Sequence, residues 1–212
     1  LQANQISLEG SLLNRGVLNS LLGFQYGGER DLYQALGYPP GEIKFKDFYS
    51  RYTRQDMAKA IVDRPVRATW QGPLELVETD EQNDTEFEKA WFELDRKMKF
   101  KTKLARVDRL TGLGRYGVLL LGLDDVGSRE GFAKPVKEGP RKLHYVKPFG
   151  ENSAGISELV NSPTDPRYGL PLYYTITVKE ANGGTADVKV HYTRVVHVTD
   201  DLLESEVYGT PR

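Results

Sequence analysis

Three histidines, two Asp-Asp pairs and a glycine run are the residues whose types and spacing suggest chemistry. His191-Tyr192-Thr193 and His197-Val198-Thr199 both read H-x-T. Two imidazoles of this kind, brought together, can flank a phosphate as general acid and general base. The two copies are six positions apart, so on one strand they point to the same face, roughly 20 Å apart at ~3.3 Å per residue. Groups so placed neither close on one phosphate nor share a metal ion. His144 stands apart, and no Asp or Glu lies beside the histidines at ligand spacing, so no metal site is expected. The absence of cysteine excludes disulfides, thiol nucleophiles and Cys-type zinc sites.

Gly112-Leu113-Gly114-Arg115-Tyr116-Gly117 matches G-x-G-x-x-G. A dinucleotide site needs a strand, then the glycines, then a helix whose N-terminus meets the phosphate. Here a helix precedes and an apolar strand follows, so the glycines read as a helix stop. Asp124-Asp125 and Asp200-Asp201 follow predicted strands and read as solvated turns or caps rather than catalytic pairs. No G-x-S-x-G turn is present. No catalytic residue, metal or cofactor is assigned.

The elements around these residues follow from periodicity. Residues 1–44, rich in Gly, Asn and Gln, read as an extended arm with a short apolar patch at Leu12, Leu13, Val17, Leu18, Leu21 and Leu22. Helical spacing of Met57, Ala60, Ile61 and Ala68 predicts helix between Phe45 and Trp70, started by Asp47 or Ser50 and ended or kinked near Asp63 or Arg64 by Pro65. Leu74, Leu76 and Val77 suggest a short strand. Thr85-Glu86-Phe87-Glu88 has the form of a capping box. Phe87, Trp91, Leu94 and Met98 then share one helical face, and helix continues to about Leu110 with a break near Lys99–Thr102. Tyr116–Leu123 reads as a buried strand, Leu143–Val146 and Ile156–Val160 as further strands, and Tyr173–Val178 with Val188–Val198 as a hairpin turned at Asn182-Gly183-Gly184. Helices first and strands later predict an α+β domain over 45–212.

Net charge is −1, so no global basic field attracts nucleic acid. The charge is nevertheless segregated. Glu75 to Asp95 holds nine acids and one base, whereas Arg96 to Arg115 holds eight bases and one acid. Such blocks are either solvated helix faces or the two sides of a heterologous contact between subunits. The longest apolar run, Val118 to Leu121, is strand-sized and far short of a membrane helix.

Four segments resemble tailed-phage portal proteins in the same order. Tyr52–Pro65 resembles the family's early helix, followed by Trp70 and Gly72. Arg115–Gly122 resembles its apolar strand, and Pro166–Tyr174 the lead into its wing hairpin. Thr193-Arg194-Val195-Val196-His197 with Tyr208-Gly209-Thr210 resembles the end of the wing. The resemblance implies a structural, non-enzymatic subunit of a ring, usually of twelve, at one capsid vertex, assembled in the host cytoplasm. Double-stranded DNA passes through such a ring, and terminase, capsid and scaffold proteins and a tail adaptor contact it. It also implies that this chain is mainly wing, with stem, clip and crown expected beyond residue 212. The subunit-interface candidates are Glu86, Glu88 and Glu93 against Lys99, Lys103 and Arg106. The alternative is a phosphodiesterase of the 2H type, which the paired H-x-T motifs resemble, or a phage interaction module with no channel role.

Overall fold

The computed structural model describes residues 43–74, 76–78, 85–180 and 183–212. The predicted arm to residue 42, its apolar patch and Asn182 of the hairpin turn lie outside the described residues. Lys44–Arg212 form one compact unit. Within it the described helices are α1 (Phe45–Arg54), α2 (Asp56–Thr69), α3 (Glu86–Met98) and α4 (Phe100–Leu113). Six strands follow: β1 (Gly117–Leu123), β2 (Leu143–Gly150), β3 (Ala154–Leu159), β4 (Pro171–Lys179), β5 (Thr185–His191) and β6 (Val195–Val198). They pair antiparallel in two sheets, ordered β2-β1-β6 and β3-β4-β5. The predicted α+β class is what the structure shows.

Asp47 starts α1 from inside the helix, accepting the Lys44 N–H at 2.9 Å. The predicted single helix is in fact two, parted at Gln55, whose backbone is extended. Pro65 does not end the second one, which runs on to Thr69. A proline in a helix interior costs about 3 kcal/mol. Val62 and Val66, 3% and 1% exposed, flank it, and each buried valine returns about 1.5–3 kcal/mol. Asp63 adds an anchor, accepting from Arg109 Nε of α4 at 2.6 Å and from Tyr52 Oη of α1 at 3.0 Å. Burial works against the charge on Asp63, but these donors and Arg67 hold its carboxyl below the usual range. Leu74, Leu76 and Val77 form no strand.

The predicted capping box forms at Thr85, which accepts the Glu88 N–H at 3.2 Å while Glu88 Oε2 accepts the Thr85 N–H at 2.9 Å. The break between α3 and α4 is Lys99 alone, in the left-handed region (φ 56°, ψ 52°). Trp91 and Phe100 stack across it with centroids 5.2 Å apart.

Strand β1 is covered on both faces, and for that reason its apolar run is continuous rather than alternating. Leu119 packs with Val107 of α4 and Val146 of β2. Tyr116, Val118 and Leu120 pack on Ala154, Tyr174, Ile176 and Val190 of the second sheet. The layers are therefore helix, sheet, sheet. The last predicted strand is also divided. β5 ends at His191 in the second sheet, a 3-10 turn covers Tyr192–Arg194, and β6 begins at Val195 in the first sheet.

Candidate subunit interface

The crossing between the sheets is held by Arg194, which is inaccessible to solvent. Its guanidinium donates to both oxygens of Asp125 at 2.7 Å and to the carbonyls of Lys134 (2.8 Å) and Pro135 (3.1 Å). The Asp125 side chain is also buried, 1% exposed. The sequence reads Asp124-Asp125 as a solvated turn or a cap; the turn forms, but the Asp125 side chain is buried against Arg194 rather than solvated. The Arg194 guanidinium holds the Asp125 carboxyl well below the usual range despite burial. A planar bidentate pair of this kind fixes geometry as well as charge. It ties the β1–β2 loop to the turn that carries the chain from one sheet to the other.

Three residues later, His197 pins the tail. One ring nitrogen lies 2.9 Å from the Val207 carbonyl and the other 3.1 Å from Tyr174 Oη. This fits a neutral imidazole, with Nε2–H donating to Val207 and Nδ1 accepting from Tyr174. The ring stacks on Tyr116 at 4.9 Å, and Tyr208 packs edge-on against Tyr116 at 5.9 Å. Burial pushes the Tyr116 hydroxyl up to about 12 and the Tyr174 hydroxyl higher still. Gly209 N–H donates to the Arg115 carbonyl at 2.8 Å. Arg212 closes the tail by donating to Asp200 (2.6 Å) and to Asp108 of α4 (3.2 Å). Asp200 is thus a salt-bridge acceptor, and the tail after β6 lies across the end of α4 and the start of β1.

Burial lowers the tendency of both His191 and His197 to take a proton. The unfolded chain protonates first, near the ordinary imidazole value of about 6.5. Stability is therefore full above that pH and falls as pH drops through it. Urea midpoints should be lower at about pH 5.5 than at about pH 7.5, and His197→Asn should flatten that difference. Equal slopes for parent and variant would refute the assignment.

The sequence places the two H-x-T imidazoles on one face of one strand; the structure corrects this, with His191 in β5 and His197 in β6 of the other sheet. His191 pairs in register with Tyr173 and packs on its ring at 5.4 Å, whereas His197 bonds to Tyr174. Adjacent residues of β4 point to opposite faces, so the second sheet stands between the two imidazoles. His191 Nδ1 is further engaged by the Thr193 hydroxyl at 2.9 Å. Acid–base attack on a common phosphate has no geometry here.

The charged candidates line α3 and α4. Glu86 is exposed and pairs with Lys89 at 3.3 Å, a solvated i,i+3 contact. Glu88 is committed to the capping box and also accepts the Glu78 N–H at 2.7 Å. Glu93 lies exposed beside Ala90, Leu94, Arg96 and Lys97, which line one shallow groove. Lys99 is the exposed left-handed joint, Arg106 is exposed on α4, and Lys103 reaches the edge of a cleft between the two sheets. The acids are thus on α3 and the bases on the joint and α4. Of the predicted apolar face of α3, Trp91, Leu94 and Met98 are half-buried, but Phe87 is 52% exposed.

Among the described residues no helix is long and apolar enough to cross a membrane, and no cluster of His, Asp or Glu is arranged to hold a metal ion. No curated protein matches the chain. A family model described as phage portal protein matches residues 47–211, from the first turn of α1 to the end of the docked tail. That span takes in the helices, both sheets and the Arg194 and His197 anchors, and the chain accordingly belongs to the phage portal protein family.

Proposed function

We propose that the chain is a subunit of a portal ring, usually of twelve copies, at one vertex of a phage capsid. Double-stranded DNA is packaged and ejected through its centre without sequence specificity. The observation that carries this reading is the family match over residues 47–211. This portion forms the outer wing, with residues 1–44 as an arm toward a neighbouring surface. Terminase, capsid and scaffold proteins and a tail adaptor dock on the ring, which assembles in the host cytoplasm and carries out no hydrolysis. The architecture supports a scaffold role. The buried side chains of Asp63, Arg194 and His191 are each engaged in internal contacts.

The segregation of charge between α3 and α4 supports a heterologous neighbour contact. In it Glu86, Glu88 and Glu93 face Lys99, Lys103 and Arg106 of the next copy. Exposed ion pairs contribute only about 0.2–1 kcal/mol each and are screened by salt. The ring of the full gene product should therefore loosen as ionic strength rises. Negative-stain microscopy at low and high salt checks this: closed rings with a central channel at low salt support the reading, and isolated compact particles at both oppose it.

A further inference from the structure

Residues of both sheets line a cleft of about 460 Å³. Phe132, Phe149, Val178 and Val188 line it, and the Tyr145 ring lies across Gly122, where any Cβ would collide with it. Lys103, Lys147 and Lys179 stand at its rim, with Arg129, which pairs with Glu180 at 2.6 Å. The site is thus an apolar slot edged with positive charge.

The opposite chemistry sits at the N-terminus of α3. Leu76, Val77 and Phe87 are 42%, 67% and 52% exposed. Glu88 holds the Leu76–Glu78 segment against the first helical turn by accepting the Glu78 N–H, and Thr85 Oγ1 donates to Glu78 Oε2 at 2.6 Å. Three large apolar side chains are thereby presented together with Glu78, Glu86 and Glu88.

We propose that this acidic, apolar knob of one copy seats in the basic-rimmed cleft of the next. The proposal rests on the ring reading and names its contact. Knob and cleft are different patches of one chain, so the contact is heterologous and repeats around a closed ring. The apolar side chains enter the slot, and the acids meet the rim lysines. This charge match favours a second copy over an unrelated apolar segment. Glu86, Glu88 and Lys103, selected from the charge pattern, fall on the two sides of this contact. Lys147 and Lys179 join them only through the fold.

The chain contains no cysteine, so a crosslink reads the contact directly. Phe87→Cys on the knob and Ala186→Cys in β5, which lines the cleft, are introduced together in the full gene product, with each single variant as control. Oxidation should give a ladder of covalent oligomers up to the ring, and the single variants should give none. If native mass shows rings but the double variant gives no ladder, the contact is wrong and the ring reading stands. If the unsubstituted product never forms rings, both fall. A charge test covers failure of the double variant to assemble. Lys147→Glu should weaken assembly about tenfold, and adding Glu86→Lys should restore it. Unchanged assembly in Lys147→Glu overturns the proposal.

Discussion

Arg194→Met is expected to destabilise the domain by about 3–5 kcal/mol, the cost of breaking a buried ion pair from one side. The guanidinium supplies four hydrogen bonds, two to Asp125 and one each to the carbonyls of Lys134 and Pro135. Methionine fills a similar volume but leaves a buried carboxylate without its countercharge and removes the donor from two carbonyls. Domains of this size are stable by about 5–15 kcal/mol in all, so the loss removes a large share of the total. Adding Asp125→Leu should recover much of it, because two apolar side chains leave no stranded charge. The coupling between the substitutions is therefore large, and a double-mutant cycle by urea unfolding measures it. The pair also has a pH signature. Asp125 titrates well below its unfolded value, so its contribution is complete above about pH 4 and is lost as the pH falls further. That acid limb should be absent from the double variant. A cost under about 1 kcal/mol for Arg194→Met would remove the pair from its place as anchor of the sheet crossing.

Gly209→Ala should release the tail after β6. A Cβ at this position would run into the Asp200 backbone carbonyl, a rigid neighbour that no side-chain rotation relieves. Overpacking of this kind costs about 1–3 kcal/mol. The loss is concentrated locally, because five tail contacts depend on the close approach. They are Gly209 N–H to the Arg115 carbonyl, His197 to the Val207 carbonyl, Arg212 N–H to the Gly112 carbonyl, and the Arg212 side chain to Asp108 and Asp200. Hydrogen exchange should show the amides of Gly209 and Arg212 deprotected, while the amides of β1 and β4 exchange as in the parent. Uniform loss of protection across the domain would contradict a local role. Arg212→Lys should produce a milder version, since an ammonium cannot reproduce the planar donor set shared by two carboxylates.

Local signals were legible where the determining residues are neighbours in the chain. The Thr85–Glu88 capping box, the break at Lys99 and the apolar strand at Gly117–Leu123 depend on adjacent turns and a short run, and all three form. Pro65 does not end its helix because propensity is outweighed by tertiary burial of Val62 and Val66. The role of Arg194 was not legible, since its partner Asp125 lies 69 residues away and reads as half of a solvated Asp pair. The same distance effect placed His191 and His197 on one strand, because the 3-10 turn that separates them exists only where Arg194 turns inward. Glu86, Glu93, Lys99 and Arg106 are exposed charges that composition alone singles out. The cleft beside Lys103 is different in kind: residues of both sheets line it, and only the fold brings them together.

Native mass spectrometry of the full gene product tests the ring reading most directly. One closed stoichiometry of many copies, with twelve the family's usual number, is the result that a portal subunit predicts. A folded monomer or dimer, unchanged at low salt and high concentration, would contradict it.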